Sequence, residues 1–515
     1  MSQRRFQNKR KIVSVLVFLL ILFSVCTPCF DTGVFHFADA SSESVYSTDL
    51  SGASPRGGVL LIVDGMGSAY LFPELTPYTL TNESEKHAVV KTLPRIWEDG
   101  FRISIMKSPH PVTELGHSTI VAGNTAANSE MVGYSDSTLM DIFREEGFLC
   151  IGVMQRGDFA SMRQKFDIIA YDETNSVNNM NFTIQRNDRY DNSTPEGAQK
   201  QKIIREIETE FEKYQKNASS YVSSKETSEK YAGYNRWALD SACAALTVME
   251  KYPDQKFVVV ISAGAVDSTG HYRGYYAYLD SIERLDRDLE TLWNKCKKNN
   301  LFLAVTADHG MSFETLDKKG GGHSSGKYAK STEATTIPFI VWGPNVKKGT
   351  VYAGETGQDD IAATFLSLFG ISESPRFSNG NVLPAKEKVT LSLEFPGAEN
   401  VQIQHSGREI ISASGYSKYV ISGMEPGSYT VKWSGESGKY AQTEMSVFIE
   451  NDTRKNMSEF LKSAKTPVSI STESKETGGL ANFGGGAMST KYVVAVLIVL
   501  INVIGGAFAY RIYKK

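Results

Sequence analysis

The sequence predicts an α/β protein: an α/β/α sandwich around a central, mostly parallel sheet, followed by a small all-β sandwich and an apolar C-terminal helix. Three observations predict it. Continuous apolar runs recur at Gly58–Val63, Phe257–Ser262, Leu301–Thr306 and Ile337–Trp342, and such runs suit strands buried on both faces, as in parallel sheets. Between them, Ser137–Glu146, Asn235–Lys251 and Tyr276–Lys298 carry apolar residues at three- and four-residue spacing. Alternation of strand and helix is the pattern of layered α/β folds. From about Lys388 the period changes to two, beginning with Val389-Thr-Leu-Ser-Leu-Glu-Phe395, which marks a separate β module.

In chain order, residues 1–40 read as a secretory signal or an N-terminal anchor. Arg4, Arg5, Lys9, Arg10 and Lys11 precede the apolar run Ile12–Val25, and Ala38-Asp39-Ala40 offers a small-residue cleavage site. Residues 41–56 are a Ser-rich leader, and 57–386 form the main domain. Within it, the polar stretch 173–232 reads as an exposed insertion or cap. Residues 387–450 hold short strands separated by Gly/Pro turns, and Gly423–Val431 resembles part of the small surface β-sandwiches of the PEGA and carboxypeptidase-regulatory type. Residues 451–490, rich in Ser, Thr, Lys and Gly, read as a stalk. The apolar segment 491–510 is long enough to span a bilayer, and the basic tail 511–515 places the C-terminus in the cytoplasm. Either fate of the N-terminus leaves the bulk of the chain extracytoplasmic at a cell membrane. Six N-x-S/T sequons, at Asn82, Asn181, Asn192, Asn217, Asn451 and Asn456, agree with that placement.

Composition narrows the function. With 55 basic and 58 acidic residues, net −3, no basic excess exists to bind nucleic acid. Two apolar segments are too few for a polytopic transporter. Cys150, Cys243 and Cys296 are widely spaced and form neither a disulfide framework nor a zinc-finger pattern.

Four segments carry chemistry: Val63-Asp64-Gly65-Met66-Gly67; Thr113-Glu-Leu-Gly-His117-Ser-Thr-Ile-Val-Ala-Gly123; Asp267-Ser-Thr-Gly270-His271; and Ala307-Asp308-His309-Gly310, followed by Gly320-Gly-Gly-His323. Functional residues of α/β sheets gather at the carboxyl ends of strands. Three aspartates, three histidines and a hydroxyl are ligands that zinc and manganese accept, and suffice for two metal ions. Paired metals roughly 4 Å apart clamp the attacking and leaving oxygens of an in-line displacement at phosphorus. The adjoining glycines permit tight turns and close backbone approach.

These segments resemble the alkaline phosphatase superfamily, in its cofactor-independent phosphoglycerate mutase and nucleotide pyrophosphatase/phosphodiesterase branches. The likeness runs over about 310 residues, 58–370, with the four segments and the trailing Gly-x-His323 in order. It implies an alkaline-phosphatase-like fold and a threonine nucleophile at Thr113. One metal would be held by Asp267, His271 and His323. The other would be held by Asp64, Asp308 and His309 with Thr113. His117 would support the nucleophile loop. Thr113 would form a phospho-threonine, released by water in a hydrolase or returned to a substrate in a mutase. The Cys/Ser-x-Pro-x-Arg segment of the usual sulfatases is missing at the nucleophile, and Leu115 replaces the proline of the phosphodiesterase motif. The expected activity is hydrolysis of a phosphate monoester or diester with two Zn or Mn ions. The alternatives are phosphoryl or head-group transfer, and a non-catalytic surface scaffold.

Overall fold

The computed structural model describes residues 44–50, 55–84, 86–316, 320–435 and 443–458. The strands in chain order are β1 (Val45–Asp49), β2 (Gly57–Val63), β3 (Phe101–Lys107), β4 (Leu149–Met154), β5 (Ile168–Asp172), β6 (Phe182–Arg186), β7 (Phe257–Ala263) and β8 (Phe302–Thr306). After them come β9 (Ser312–Phe313), β10 (Gly321–Gly322), β11 (Thr336–Trp342), β12 (Thr350–Val351), β13 (Val389–His405), β14 (Arg408–Met424), β15 (Gly427–Gly435), β16 (Thr443–Ile449) and β17 (Thr453–Asn456).

The main sheet has nine strands in the order β12-β3-β11-β8-β2-β7-β4-β5-β6. Its centre is parallel and wholly buried: every residue of β2, β4, β7 and β8 is buried. Two groups of helices cover the faces. Thr227–Met249 and Tyr275–Lys298 pack together on one, and Thr113–Ala122, Leu139–Glu145 and Asp360–Leu368 on the other. In register, Val63 pairs with Ala263 and Ile62 with Thr306. The carboxyl ends of β2, β7 and β8 therefore lie side by side, which brings together the segments after them.

The structure departs from the expected layout in several places. β11 runs antiparallel to both β3 and β8. Its apolar run reports burial on both faces, and burial carries no information about direction. Segment 173–232, expected as an exposed insertion or cap, also feeds the main domain. It supplies edge strand β6, antiparallel to β5, and the helix Pro195–Lys216. Thr194 caps that helix through Gly197 N–H, and Ile203, Ile204, Ile207 and Phe211 enter the core. Phe182 stacks on Trp237, ring centroids 3.3 Å apart. The Ser-rich leader contains strand β1, parallel to β14.

The β module is one sheet folded on itself, β1-β14-β13-β15-β16, with β17 beside the first half of β13. Register breaks between Glu394 and Glu399 bend β13, so two expected short strands are halves of one long strand. Leu391, Leu393, Ile403, Tyr419, Ile421 and Val431 fill its core. β17 and the buried Met457 extend the module past residue 450, into the expected stalk. Lys386 Nζ, buried, joins the main domain to the module by donating to Ser367 O at 2.7 Å and Asp452 Oδ2 at 2.7 Å.

Among the described residues no helix is long and apolar enough to cross a membrane. The N-terminal apolar segment, the C-terminal span 491–510 and the tail 511–515 lie outside the described residues.

Candidate metal centre

Asp64 follows β2 directly, and its N–H donates to Ala263 O at the end of β7 at 3.0 Å. Gly65 then turns the chain at φ +78°, a conformation suited to glycine, and a Cβ there would lie 2.9 Å from Asp267 Cα. Asp267 and His271 sit on the helix Ala265–Arg273 after β7, one turn apart on one face. Asp308 and His309 follow β8. His323 follows β10, the short strand that pairs with β9.

The structure brings all six metal-ligand candidates together, all but His271 buried. Ligand atoms of Asp64, Asp308 and His309 fall within 4.8 Å of one another, and those of Asp267, His309 and His323 do too. His271 Nε2 lies 2.9 Å from His323 Nε2 and 3.2 Å from Asp267 Oδ1. His309 thus stands between the two expected ligand sets, its ring stacked on His323 with centroids 3.7 Å apart. Thr113, the first residue of the helix Thr113–Ala122, places Oγ1 3.2 Å from His309 Nε2.

The histidine orientations are fixed from behind. The Nδ1 atoms of His271, His309 and His323 donate to the carbonyls of Gly321, Gly310 and Pro111, at 3.1, 2.9 and 2.6 Å. A carbonyl only accepts, so Nδ1 carries the proton and each Nε2 presents a lone pair inward. Opposite stand carboxylate oxygens with no hydrogen-bond partner among the described residues: both of Asp64, Oδ1 of Asp267 and Oδ2 of Asp308. Acceptor faces acceptor in a buried space. Isolated buried acceptors are costly, so the arrangement calls for cations between them. The donor set is imidazole and carboxylate, which suits zinc and manganese.

Charge crowding shifts the proton affinities of the site. Burial, then the neighbouring Asp308 and Asp267, push the Asp64 carboxyl well above its ordinary range. Burial also pushes Asp267 upward, but the His271 contact and the Arg156 charge outweigh it and hold it at about 2. Burial, reinforced by His309, lowers His323 to about 4, so it stays neutral at physiological pH.

Several supporting residues carry no clear mark in the sequence. Arg156, just past β4, donates from Nη1 to Asp267 Oδ2 at 2.9 Å and holds Nε 3.5 Å from Asp64 Oδ2. Its position at the carboxyl end of an apolar run is the signal that could have found it. Gln358 Nε2 donates to Asp308 O at 2.7 Å, and Tyr278 Oη donates to Gly65 O at 2.8 Å. His117 is fully buried. Its Nδ1 donates to Thr113 O at 2.9 Å and lies 3.3 Å from Asp308 Oδ2, tying the helix Thr113–Ala122 to the segment after β8. Gly116 lets that helix approach, since a Cβ there would meet Asp308 O at 2.4 Å. An open cleft of about 260 Å³ adjoins Thr113.

A family model described as Sulfatase matches residues 58–371, from β2 to just past the helix Asp360–Leu368. The chain belongs to the sulfatase family. That family lies within the alkaline phosphatase superfamily of metal-dependent phosphatases, sulfatases and mutases. A probable 2,3-bisphosphoglycerate-independent phosphoglycerate mutase of Leptospira interrogans is 34% identical over 111 residues, 20% of each chain. The 2,3-bisphosphoglycerate-independent phosphoglycerate mutase of Mycoplasma pneumoniae is 26% identical over 151 residues, 29% of this chain and 28% of that one. The match thus spans only about a fifth to a third of the length of these curated relatives. Among solved structures, alkaline phosphatase PafA matches at 14% identity and TM-score 0.44, over 64% of this chain and 98% of its own. The lipoteichoic acid synthase LtaP of Listeria monocytogenes matches at 12% and 0.41, over 80% of this chain and 89% of its own.

Proposed function

We propose that this sulfatase-family chain is a membrane-tethered, extracytoplasmic hydrolase of phosphate esters, with Thr113 as nucleophile and two divalent ions, zinc or manganese, as cofactors. The observation that carries the reading is the Thr113 hydroxyl, 3.2 Å from His309 Nε2 at the edge of a buried cluster of unpartnered carboxylate oxygens. Asp267, His271 and His323 would hold one ion, and Asp64, Asp308 and His309 the other. Such ions, when bound, supply Lewis acidity that lowers the pKa of a nearby hydroxyl and offsets charge on the phosphoryl oxygens.

The chain's own groups account for the rest. Thr113 Oγ1 attacks phosphorus as its proton leaves to solvent, and the bond to the leaving alcohol breaks. That alcohol takes a proton from solvent, balancing the one released. Water then cleaves the Oγ1–phosphorus bond, freeing phosphate and restoring the hydroxyl. The first backbone N–H groups of the helix Thr113–Ala122 have no partner within the helix and favour the phosphoryl negative charge. Arg156 keeps Asp64 and Asp267 oriented. Threonine in place of the formylglycine precursor segment favours phosphate over sulfate esters. Membrane tethering rests on the apolar segment 491–510 and its basic tail.

The test compares p-nitrophenyl phosphate with bis-p-nitrophenyl phosphate, using the full chain loaded with zinc or manganese. Turnover should vanish in Thr113→Ala, and the preferred ester separates monoesterase from diesterase. Turnover surviving in that variant would reject the reading. The local likeness to mutases favours a second reading, phosphoryl transfer to another alcohol, which would appear as phosphorylated acceptor in place of free phosphate.

A further inference from the structure

Far from the metal centre in sequence, a buried amine and a buried carboxyl are held as two reactants would be. Lys386 lies just before β13 and Asp452 just before β17, and those strands pair in parallel, Leu391 opposite Thr453. Lys386 Nζ and Asp452 Oδ2 therefore meet at 2.7 Å, with side-chain exposures of 7% and 9%. Nζ also donates to Ser367 O at 2.7 Å and to Thr390 Oγ1 at 3.1 Å. Those two acceptors each hold one hydrogen, and the third points at the carboxyl. Loss of that third hydrogen leaves a lone pair aimed at the same carboxyl. The other oxygen, Asp452 Oδ1, accepts from Thr390 N–H at 2.8 Å. A backbone donor so placed stabilises negative charge that develops on a carbonyl oxygen. Burial lowers the Lys386 ammonium below its ordinary range, against the opposing charges of Asp452 and Asp49, and the neutral amine is the nucleophilic form. Asp49 faces this pocket from β1: it pairs with Ser422, whose Oγ is 3.3 Å from Thr390 Oγ1.

We infer that Lys386 and Asp452 condense to a side-chain amide, an internal covalent cross-link of the β module. A proton passes from Nζ to Oδ2, giving amine and carboxylic acid. Nζ then attacks Cγ, and the charge that gathers on Oδ1 is held by the Thr390 N–H. A second Nζ proton moves to the Oδ2 hydroxyl, the Cγ–Oδ2 bond breaks, and one water leaves. The new bond is Nζ–Cγ, and no oxidant or activating group is consumed. Reactants held in contact gain effective molarities of about 10⁵ M or more when well oriented. The amide also replaces two buried charges, which are costly to keep from water, by one neutral group. It closes residues 386–452 into a single covalent loop, so the module stays shut where it meets the main domain.

The test is peptide mass spectrometry of the full chain, produced in bacteria, held folded at neutral pH and sampled over days. Each sample is denatured and cut with trypsin, which does not cut after an acylated lysine. Segment 377–388, uncut at Lys386, should appear joined to segment 440–454, with a mass one water below the sum of the two. The joined fraction should grow with incubation until it dominates. Fragmentation should place the link between Lys386 and Asp452. Lys386→Arg keeps the charge but lacks the amine, and Asp452→Ala lacks the carboxyl; neither should give the joined peptide. The wild-type chain decides the matter even where a variant fails to fold. Complete cutting after Lys386 at every time point, in a wild-type chain that keeps its cooperative melting, would leave an ion pair only and overturn the inference. Attachment of Lys386 to any other carboxyl would overturn it too.

Discussion

Asp308 concentrates the chemistry of the site in one side chain. Its Oδ1 accepts from Gly65 N–H and His309 N–H at 3.0 and 2.9 Å, while Oδ2 stays unpartnered beside His117 and His309. One oxygen fixes the strand ends and the other faces the cation space. Asp308→Asn keeps the shape and removes the charge. It should lower activity by about a thousandfold or more and reduce bound metal by elemental analysis; full metal content with full activity would contradict the ligand assignment. Gly116→Ala probes close approach, since its Cβ would lie 2.4 Å from Asp308 O. It should destabilise the fold by about 1–3 kcal/mol in urea titration, and activity should fall with the displaced Thr113.

At the level of elements, the helix Pro195–Lys216 decides whether segment 173–232 is ornament or core. Ile207 is fully buried, so Ile207→Ala should cost about 2–5 kcal/mol in chemical denaturation. A cap would lose almost nothing. This helix was hard to read because its apolar residues are few among many charges, although 203, 204, 207 and 211 keep helical spacing. By contrast β2, β7 and β8 were legible, since each is an uninterrupted apolar run ending just before Asp64, Asp267 or Asp308. The six ligand positions could be read for the same reason: they sit at strand ends in short glycine-bearing motifs. Strand direction was not legible in β11, where burial on both faces gives the same run either way. Arg156 is not legible in the sequence, because its role depends on which strands neighbour β4. The sharing of His309 between the two ligand groups is likewise a fact of three-dimensional placement.

For the whole molecule, two features bear on stability: the Lys386–Asp452 pair and the cluster of candidate metal ligands. Lys386→Met leaves the Asp452 carboxylate with Thr390 N–H but without its cation and should cost about 3–5 kcal/mol in denaturant titration. A loss below 1 kcal/mol would mean that the contact between main domain and β module does not rest on this pair. Metal removal should act on the centre itself, where three buried carboxylates repel one another. Chelation should lower the melting temperature, and zinc at about 100 times its dissociation constant should restore about 2.7 kcal/mol. The proposed hydrolysis turns on Thr113 taking the phosphoryl group. Rapid acid quench of the metal-loaded full chain during turnover of p-nitrophenyl phosphate, followed by peptide mass spectrometry, tests it most directly. Phosphorylation should appear at Thr113 and disappear in Thr113→Ala together with turnover. Phosphorylation at Ser118 or Thr119, or turnover that persists in the variant, would contradict it.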